Sequence, residues 1–315
     1  MDADSAPMST RKLPNELERV IFLDAAISRP ANIPALILVA WRVKHWVEPL
    51  LYHIVCLSRI GAPMEGYPRF TIDVMLRAIQ RKPASFFHDN VQHLCLNSGS
   101  TAQQAAILRA CTGVKNLCIP NHSLEPHLDA IDAMAPCRLM FSHDLSVSFG
   151  DSIFRNITHL SVEDVGNARD EGNWAPDLHL IPNLTHFSFY LDNISRELGP
   201  PIAACPRLQC IVMHCYTNLE MMHVEEIEQA WLSNDIRFVM IRWDRHDFFG
   251  DWQRGAATGQ DFWVLAEASI AVKRASDLHP RMPKFSILPF SVVNSQQGCA
   301  MAFSMYPIGL SGLTP

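Results

Sequence analysis

A six-residue pattern constrains this chain more than any other feature. With any bulky apolar side chain written as an anchor, the order anchor, two others, anchor, one other, anchor recurs along the sequence. It appears as VQHLCL from Val91, VKNLCI from Val114, ITHLSV from Ile157, LTHFSF from Leu184, LQCIVM from Leu208 and IRFVMI from Ile236. The copies start 23, 43, 27, 24 and 28 residues apart, and a degenerate copy, CRLMFS from Cys137, divides the long interval into 23 and 20. Anchors two apart share one face of an extended chain while the residues between them face the other way. Each copy therefore predicts a short strand, with Leu94, Leu117, Leu160, Phe187, Ile211 and Val239 as equivalent inward anchors.

The segments between copies have a different period. TAQQAAILRAC from Thr101, LEPHLDAIDAM from Leu124 and HVEEIEQAW from His223 alternate at helical spacing and predict helices of two to three turns. A strand-plus-helix unit this small cannot bury its own apolar face and must stack on its neighbours. Over residues 71 to about 276 the pattern resembles a leucine-rich-repeat solenoid, which implies an α/β fold with parallel strands and an outer, convex layer of helices. The asparagine such repeats place after the strand is not held in register here, so the repeats are irregular. A helix from Gln260 to Ala275, with Phe262, Leu265, Ala266 and Ile270 on one stripe, is expected to close the C-terminal end. The repeat body is thus assigned to residues 57–277. Residues 278–315 lose the period and are read as an irregular or disordered tail, in which FSILPFSVV keeps a packed strand open.

The N-terminal texture is unlike the body. Asn15 is a candidate N-cap with Glu18 closing a capping box, which predicts a helix from Glu16 to about Ile27. Leu17, Val20 and Ile21 fall on one flank, Phe22 and Ala26 on another. Pro30 ends this helix, Pro34 starts a second, and Pro49 punctuates the stretch before Leu50-Leu51-Tyr52. Some 45 residues bury too little surface to stand alone, so something must cover them. Leu13, Pro14, Glu16, Leu17, Ile21 and Phe22, then LVAWRV from Leu38, Trp46, Pro49 and Leu50-Leu51-Tyr52, resemble an F-box-like domain of the kind common in basidiomycete fungi. That resemblance spans residues 13–56, after a disordered segment 1–12. It implies docking through Leu13, Pro14, Leu17, Ile21, Phe22, Trp41, Trp46 and Pro49 onto a Skp-type adaptor of a cullin-RING ubiquitin ligase. The sequence departs from many F-boxes at Ala40-Trp41, where they carry Cys or Ser followed by a basic residue.

Composition narrows the alternatives. The chain has 315 residues, 48% hydrophobic and 18% charged, which is globular. Its net charge of -6 contains no basic block, arguing against nucleic acid as a partner. Its longest N-terminal apolar run, Pro34 to Trp41, is far short of a membrane span. Nine scattered cysteines without a leader peptide predict reduced thiols inside the cell, cytoplasmic or nuclear. SFGDSI at 148–153 resembles the nucleophile block of GDS-type esterases, but that family's Asp-x-x-His is missing, since Asp244 and His246 are wrongly spaced. Gly150 and Ser152 are instead a loop glycine and an N-capping serine. Cys205, Cys210 and Cys215 lack the paired spacing that tetrahedral zinc requires. Neither cofactor nor metal is expected.

His93, His159 and His186 occupy one position in three strand copies, beside inward anchors, so they face the opposite, concave side. With Asn116, Ser161, Ser188, Cys210 and Phe238 they form the expected target-binding face. The resulting expectation is a non-enzymatic substrate-recognition adaptor of an SCF-type ligase, binding a target protein through its body. The alternative is a repeat scaffold for protein–protein interaction with no ligase role.

Overall fold

A computed structural model describes residues 13–58, 66–120, 122–142, 147–163, 176–190, 202, 204–215, 235–242, 248–276 and 287–289. Residues 1–12, the helix expected from His223, Asp244, His246, Cys299 and most of the tail lie outside these. The chain opens with three helices, α1 (Asn15–Ser28), α2 (Ile33–Leu36) and α3 (Trp41–Leu51), and passes directly into strand β1 (Ile54–Ser58). Helices α4 (Ile72–Arg81) and α5 (Ala84–Asn90) precede β2 (His93–Asn97), and α6 (Thr101–Ala110) precedes β3 (Asn116–Ile119). Helix α7 (Leu128–Met134) leads to β4 (Arg138–Ser142), β5 (His159–Glu163), β6 (His186–Tyr190), β7 (Cys210–Cys215) and β8 (Phe238–Arg242). A helical hairpin, α8 (Phe248–Thr258) and α9 (Phe262–Ser276), then precedes β9 (Ile287–Pro289). The nine strands form one sheet in which every pair is parallel and spatial order follows sequence order.

One hydrogen-bond device sets the register. The carbonyl of His53 accepts the N–H groups of both Gln92 and His93, and that of Gln92 accepts those of Lys115 and Asn116. Lys115, Cys137, Thr158 and Thr185 repeat this toward β4, β5, β6 and β7. The steps align Val55, Leu94, Leu117, Leu139, Leu160, Phe187 and Ile211 in one row and Phe141, Val162, Phe189 and Met213 in the next. All are buried in a single core on the side where the interstrand helices lie. Helices α4 and α6 start at side-chain caps: Thr71 accepts from Val74 N at 3.2 Å, and Ser100 and Gln103 form a reciprocal capping box. Gly113 passes so close to the backbone of His88 that a Cβ would lie 1.9 Å from its carbonyl oxygen.

Four expectations are corrected. The staircase ends at β8, where Ile211 N donates to Arg237 O and pairs in register with Phe238 rather than Val239. The Asp235 carboxylate accepts from Arg237 N and grips its guanidinium, tightening the entry turn and shifting the strand by one residue. A one-residue slip exchanges faces. Phe238 therefore lies in the main core, while Val239, though buried, faces the other side. Second, Asn15 does not cap α1: Pro14 holds that position, and Glu18 is turned to Arg42, 2.7 Å from its Nη2. Third, Pro49 lies inside the last turn of α3, which ends two residues later. Fourth, α9 does not close the end of the sheet but lies across its second face with α8.

Across that second face α8 lies against β1 to β4 and α9 against β7 and β8. Strand β1 was not anticipated, and it removes any clean boundary at residue 56: Val55 and Leu57 belong to the main core.

The interior row carries the stability. Phe187→Ala is expected to cost about 3–5 kcal/mol, measured as a lower midpoint in urea unfolding. A cost below about 1 kcal/mol would mean that the row does not bear the packing assigned to it.

Candidate functional site

Two surfaces contain the residues singled out by sequence. The first is the N-terminal module, whose helices enclose a small core of Ala26, Ile33, Val43 and Val47. Phe22 and Trp46 pack against that core from its margin, and Pro49 is half-buried on α3. Leu13, Pro14, Leu17, Ile21 and Trp41 are exposed, so the eight expected docking residues divide into a supporting set and a presented one. Sequence reasoning missed Val20, Leu38 and Val39 as members of the presented set, although Val20 and the LVAWRV stretch had already marked the module. Leu17, Val20, Ile21, Leu38, Val39 and Trp41 are between 54% and 83% exposed. Glu18 and Arg42 clasp α1 to α3 through two hydrogen bonds of 2.7 and 2.9 Å, which holds these apolar groups in a fixed arrangement.

The second surface is the sheet face beneath α8 and α9. His93, Asn116, His159, His186 and Cys210 form one row, in register with Arg138 of β4, and Ser161 and Ser188 belong to the next. They point away from the main core as expected. Much of this set is closed to solvent beneath α8 and α9, with His186, Ser188 and Cys210 5%, 0% and 1% exposed, whereas His93 and His159 are half-buried. Phe238 belongs to the other face altogether. Sequence reasoning missed α8, Arg138 and the occupancy of this face. The signal was present in the apolar stripe of α9, which needs a surface to cover.

Polar groups fasten the hairpin. Arg138 pairs with Asp261 at 2.7 Å, and the same carboxylate accepts from Trp263 N and Val264 N at the start of α9. Asp251 of α8 accepts from Phe262 N at 3.2 Å, and Trp252 Nε1 donates to Asn116 Oδ1 at 3.3 Å. Lys273 donates to the Phe238 carbonyl at 2.6 Å, and burial pulls its pKa down to about 8. Gly255 lets the two helices close, since a Cβ there would lie 2.5 Å from Asp261 Cβ. A recess of about 30 Å³ remains beneath the hairpin, lined by Asn116, Arg138, His159, Ser161, Trp252 and Asp261 among others.

His159 and His186 stack with ring centroids 4.0 Å apart and planes 5° from parallel, both edge-on to Trp263. The Thr185 hydroxyl lies 2.8 Å from His186 Nδ1, and Glu267 Oε1 lies 2.8 Å from its Nε2. Glu267 as a carboxylate only accepts, so a neutral His186 carries its proton on Nε2, and the one Thr185 hydroxyl proton is shared between His186 Nδ1 and the Thr158 carbonyl, 3.0 Å away. Parallel rings direct their nitrogens side by side rather than toward a shared point, so the pair does not converge on an ion. Among the described residues no group of three His, Cys, Asp or Glu side chains is placed to hold a metal. Ser188 Oγ donates to Ser161 Oγ at 2.7 Å in the dry interior.

SFGDSI forms a turn between β4 and β5. Asp151, not Ser152, precedes the short 3-10 helix Ser152–Phe154, and its carboxylate accepts from Ser148 N at 3.0 Å. Ile153 and Phe154 are core residues. Among the described residues no helix is long and apolar enough to cross a membrane. The described cysteines are all thiols. Compared with known proteins, the chain matches no family model and no curated protein.

The contact between the sheet and the α8–α9 hairpin, the seam, is expected to weaken in acid. Burial depresses the pKa of His93 to about 4, of His214 to about 3 and of His159 to about 2. A group whose folded pKa lies below its unfolded value of about 6.5 favours the fold fully above that value and progressively less as pH falls through the window beneath it. Each such histidine lowers stability by up to about 1.4 kcal/mol per pH unit in that window. Urea midpoints followed by tryptophan fluorescence are therefore expected to fall between pH 6.5 and 4.5. His159→Gln should flatten that slope, and an unchanged slope would remove His159 from the seam's titration.

Proposed function

We propose that this chain is a non-enzymatic adaptor, the substrate-recognition subunit of an SCF-type cullin-RING ubiquitin ligase, acting in the cytoplasm or nucleus. In this reading α1–α3 form an F-box-like module that docks a Skp-type adaptor, and the body is an irregular leucine-rich-repeat-like solenoid that holds a target protein. The observation that carries the reading is the apolar group Leu17, Val20, Ile21, Leu38, Val39 and Trp41, left uncovered on a module of about 45 residues. Monomeric proteins seldom expose such clustered side chains except where something binds. The solenoid reading is supported by parallel strands in sequence order and by the repeated carbonyl staircase. Function is then proximity: one end holds the transfer machinery, the other the target, and target lysines are concentrated beside it. With α8 and α9 on that sheet face, target contact falls to the loops between strands and helices.

A repeat scaffold without a ligase is the second reading, and one observation favours it. The module is fused to the body through β1 and Tyr52, whose ring packs against Phe70, Phe86 and Phe87, as a terminal cap would be. Changing Leu17 and Ile21 together to Asp separates the two. Both are exposed, so the double variant should keep the wild-type circular dichroism spectrum and melting point. Capture of a Skp-type adaptor should fall by more than about tenfold, because unpaired charge would be buried at the contact. Absence of adaptor capture by the wild type, or capture that survives the substitutions, leaves the scaffold reading standing.

A further inference from the structure

Lysine is scarce in this chain, and arginine takes its place. The sequence holds six lysines against 20 arginines, and residues 116–272 contain nine arginines and no lysine. The two cations are not equivalent. A lysine amine can give up a proton and become a nucleophile, whereas a guanidinium stays charged. Among the described residues, three of the four lysine ammoniums are engaged. Lys82 pairs with Glu48 at 2.8 Å and sits 4.1 Å over the Phe86 ring. Lys273 donates to the Phe238 carbonyl at 2.6 Å. Its lowered pKa makes it the better nucleophile, but a protein-sized donor cannot reach an amine held against the sheet. Lys44 lies 5.3 Å over Trp41, itself a docking residue, so an adaptor bound there would lie over both. All three are half-buried. Lys115 differs, being exposed and without a side-chain partner among the described residues. Its backbone is fixed in the staircase, with its N–H on the Gln92 carbonyl and its own carbonyl receiving the N–H groups of Cys137 and Arg138. A held backbone thus presents a free amine at the entry of β3.

We infer that Lys115 is the one site on the repeat body where ubiquitin can be transferred to this chain itself, the rest of the body having been cleared of acceptor amines. The inference rests on the ligase reading. A recognition subunit holds an activated thioester beside its own surface as well as beside its target, and a raised effective concentration favours every amine within reach. Arginine in place of lysine keeps the solubilising charge and removes the competing acceptor. In the transfer, the Lys115 ammonium first loses a proton to solvent. The free amine attacks the carbonyl carbon of the thioester that joins the ubiquitin C-terminus to the carrier enzyme's cysteine. The C–S bond breaks, and the departing thiolate takes the second amine proton as the isopeptide bond closes. No atom changes oxidation state.

The test combines the full chain with a Skp-type adaptor, a cullin–RING pair, activating and carrier enzymes, ubiquitin and ATP, without target, and maps ubiquitin remnants on lysine by mass spectrometry. Lys115 should carry more ubiquitin than Lys44, Lys82 and Lys273 together. Lys115→Arg, exposed and charge-conserving, should keep the fold and lower conjugation on the body by about fivefold or more. Adding Arg109→Lys or Arg155→Lys, both at exposed positions, should restore it. Restoration by neither overturns the clearing, because amine supply would then not be what limits transfer. Adaptor capture is read in the same mixture. Without capture the ligase reading fails, and the ubiquitin donor goes with it. With capture, an unmodified Lys115, or no more ubiquitin on it than on the other three together, overturns this site alone.

Discussion

A carbonyl at the entry of each strand, accepting two consecutive N–H groups of the next chain segment, is the contact on which this structure rests. It occurs between β1 and β2 and at every step to β7. In a parallel sheet the hydrogen bonds alone tolerate slippage, but side chains do not, because a shift of one residue moves every apolar group to the wrong face. The double acceptor fixes where each strand begins, and the leucine and phenylalanine rows follow from it. At β8 the acceptor changes, and so does the face of every residue after it.

The same register makes the hairpin side of the sheet a set of rows, one rich in imidazole and one in sulfur. Covered by a hairpin, such rows must satisfy their polar atoms internally or stay apolar. The threonine–histidine pairs, the Ser161–Ser188 bond and the Arg138–Asp261 pair meet that requirement where α9 presses on β4 to β7. Under α8 the row is thiol and thioether, groups that bury as small or flexible hydrophobes. His93 is an exception, since its Nδ1 is buried without a hydrogen-bond partner. A neutral ring is the least costly state for it, which agrees with its depressed pKa.

Most of the sheet was legible in the sequence because strand register leaves a period. Seven strands, the helices at Thr101 and Leu124, and the inward anchors from Leu94 to Ile211 all followed from spacing. Phe238 did not, since Phe238, Val239, Met240 and Ile241 are all apolar and alternation cannot choose between the two faces, which the Asp235–Arg237 turn decides. Strand β1 escaped because its copy of the pattern, YHIVCL from Tyr52, directly follows α3 and reads as the end of the N-terminal module. For the face beneath the hairpin, sequence gave the row but not its cover. Alternation shows that residues share a side, whereas what lies over that side depends on segments far along the chain, here Trp252 and Trp263. On the N-terminal module the apolar residues were identifiable, but their division into core and surface required the crossing of α1 and α3.

The passage from α3 to β1 occupies two residues, Tyr52 and His53. Tyr52 is locked among three phenylalanine rings, Lys82 reaches both its face and that of Phe86, and the same lysine is paired with Glu48 of α3. A joint of this kind has no hinge. In the proposed adaptor reading, a partner on the N-terminal helices would therefore set the heading of the strands next to the joint, and a target on the body would be held at one bearing rather than swept through a volume. The distance from partner to target is then a fixed length, determined by the number of strands between them, and adding or removing one repeat would lengthen or shorten it by about 5 Å.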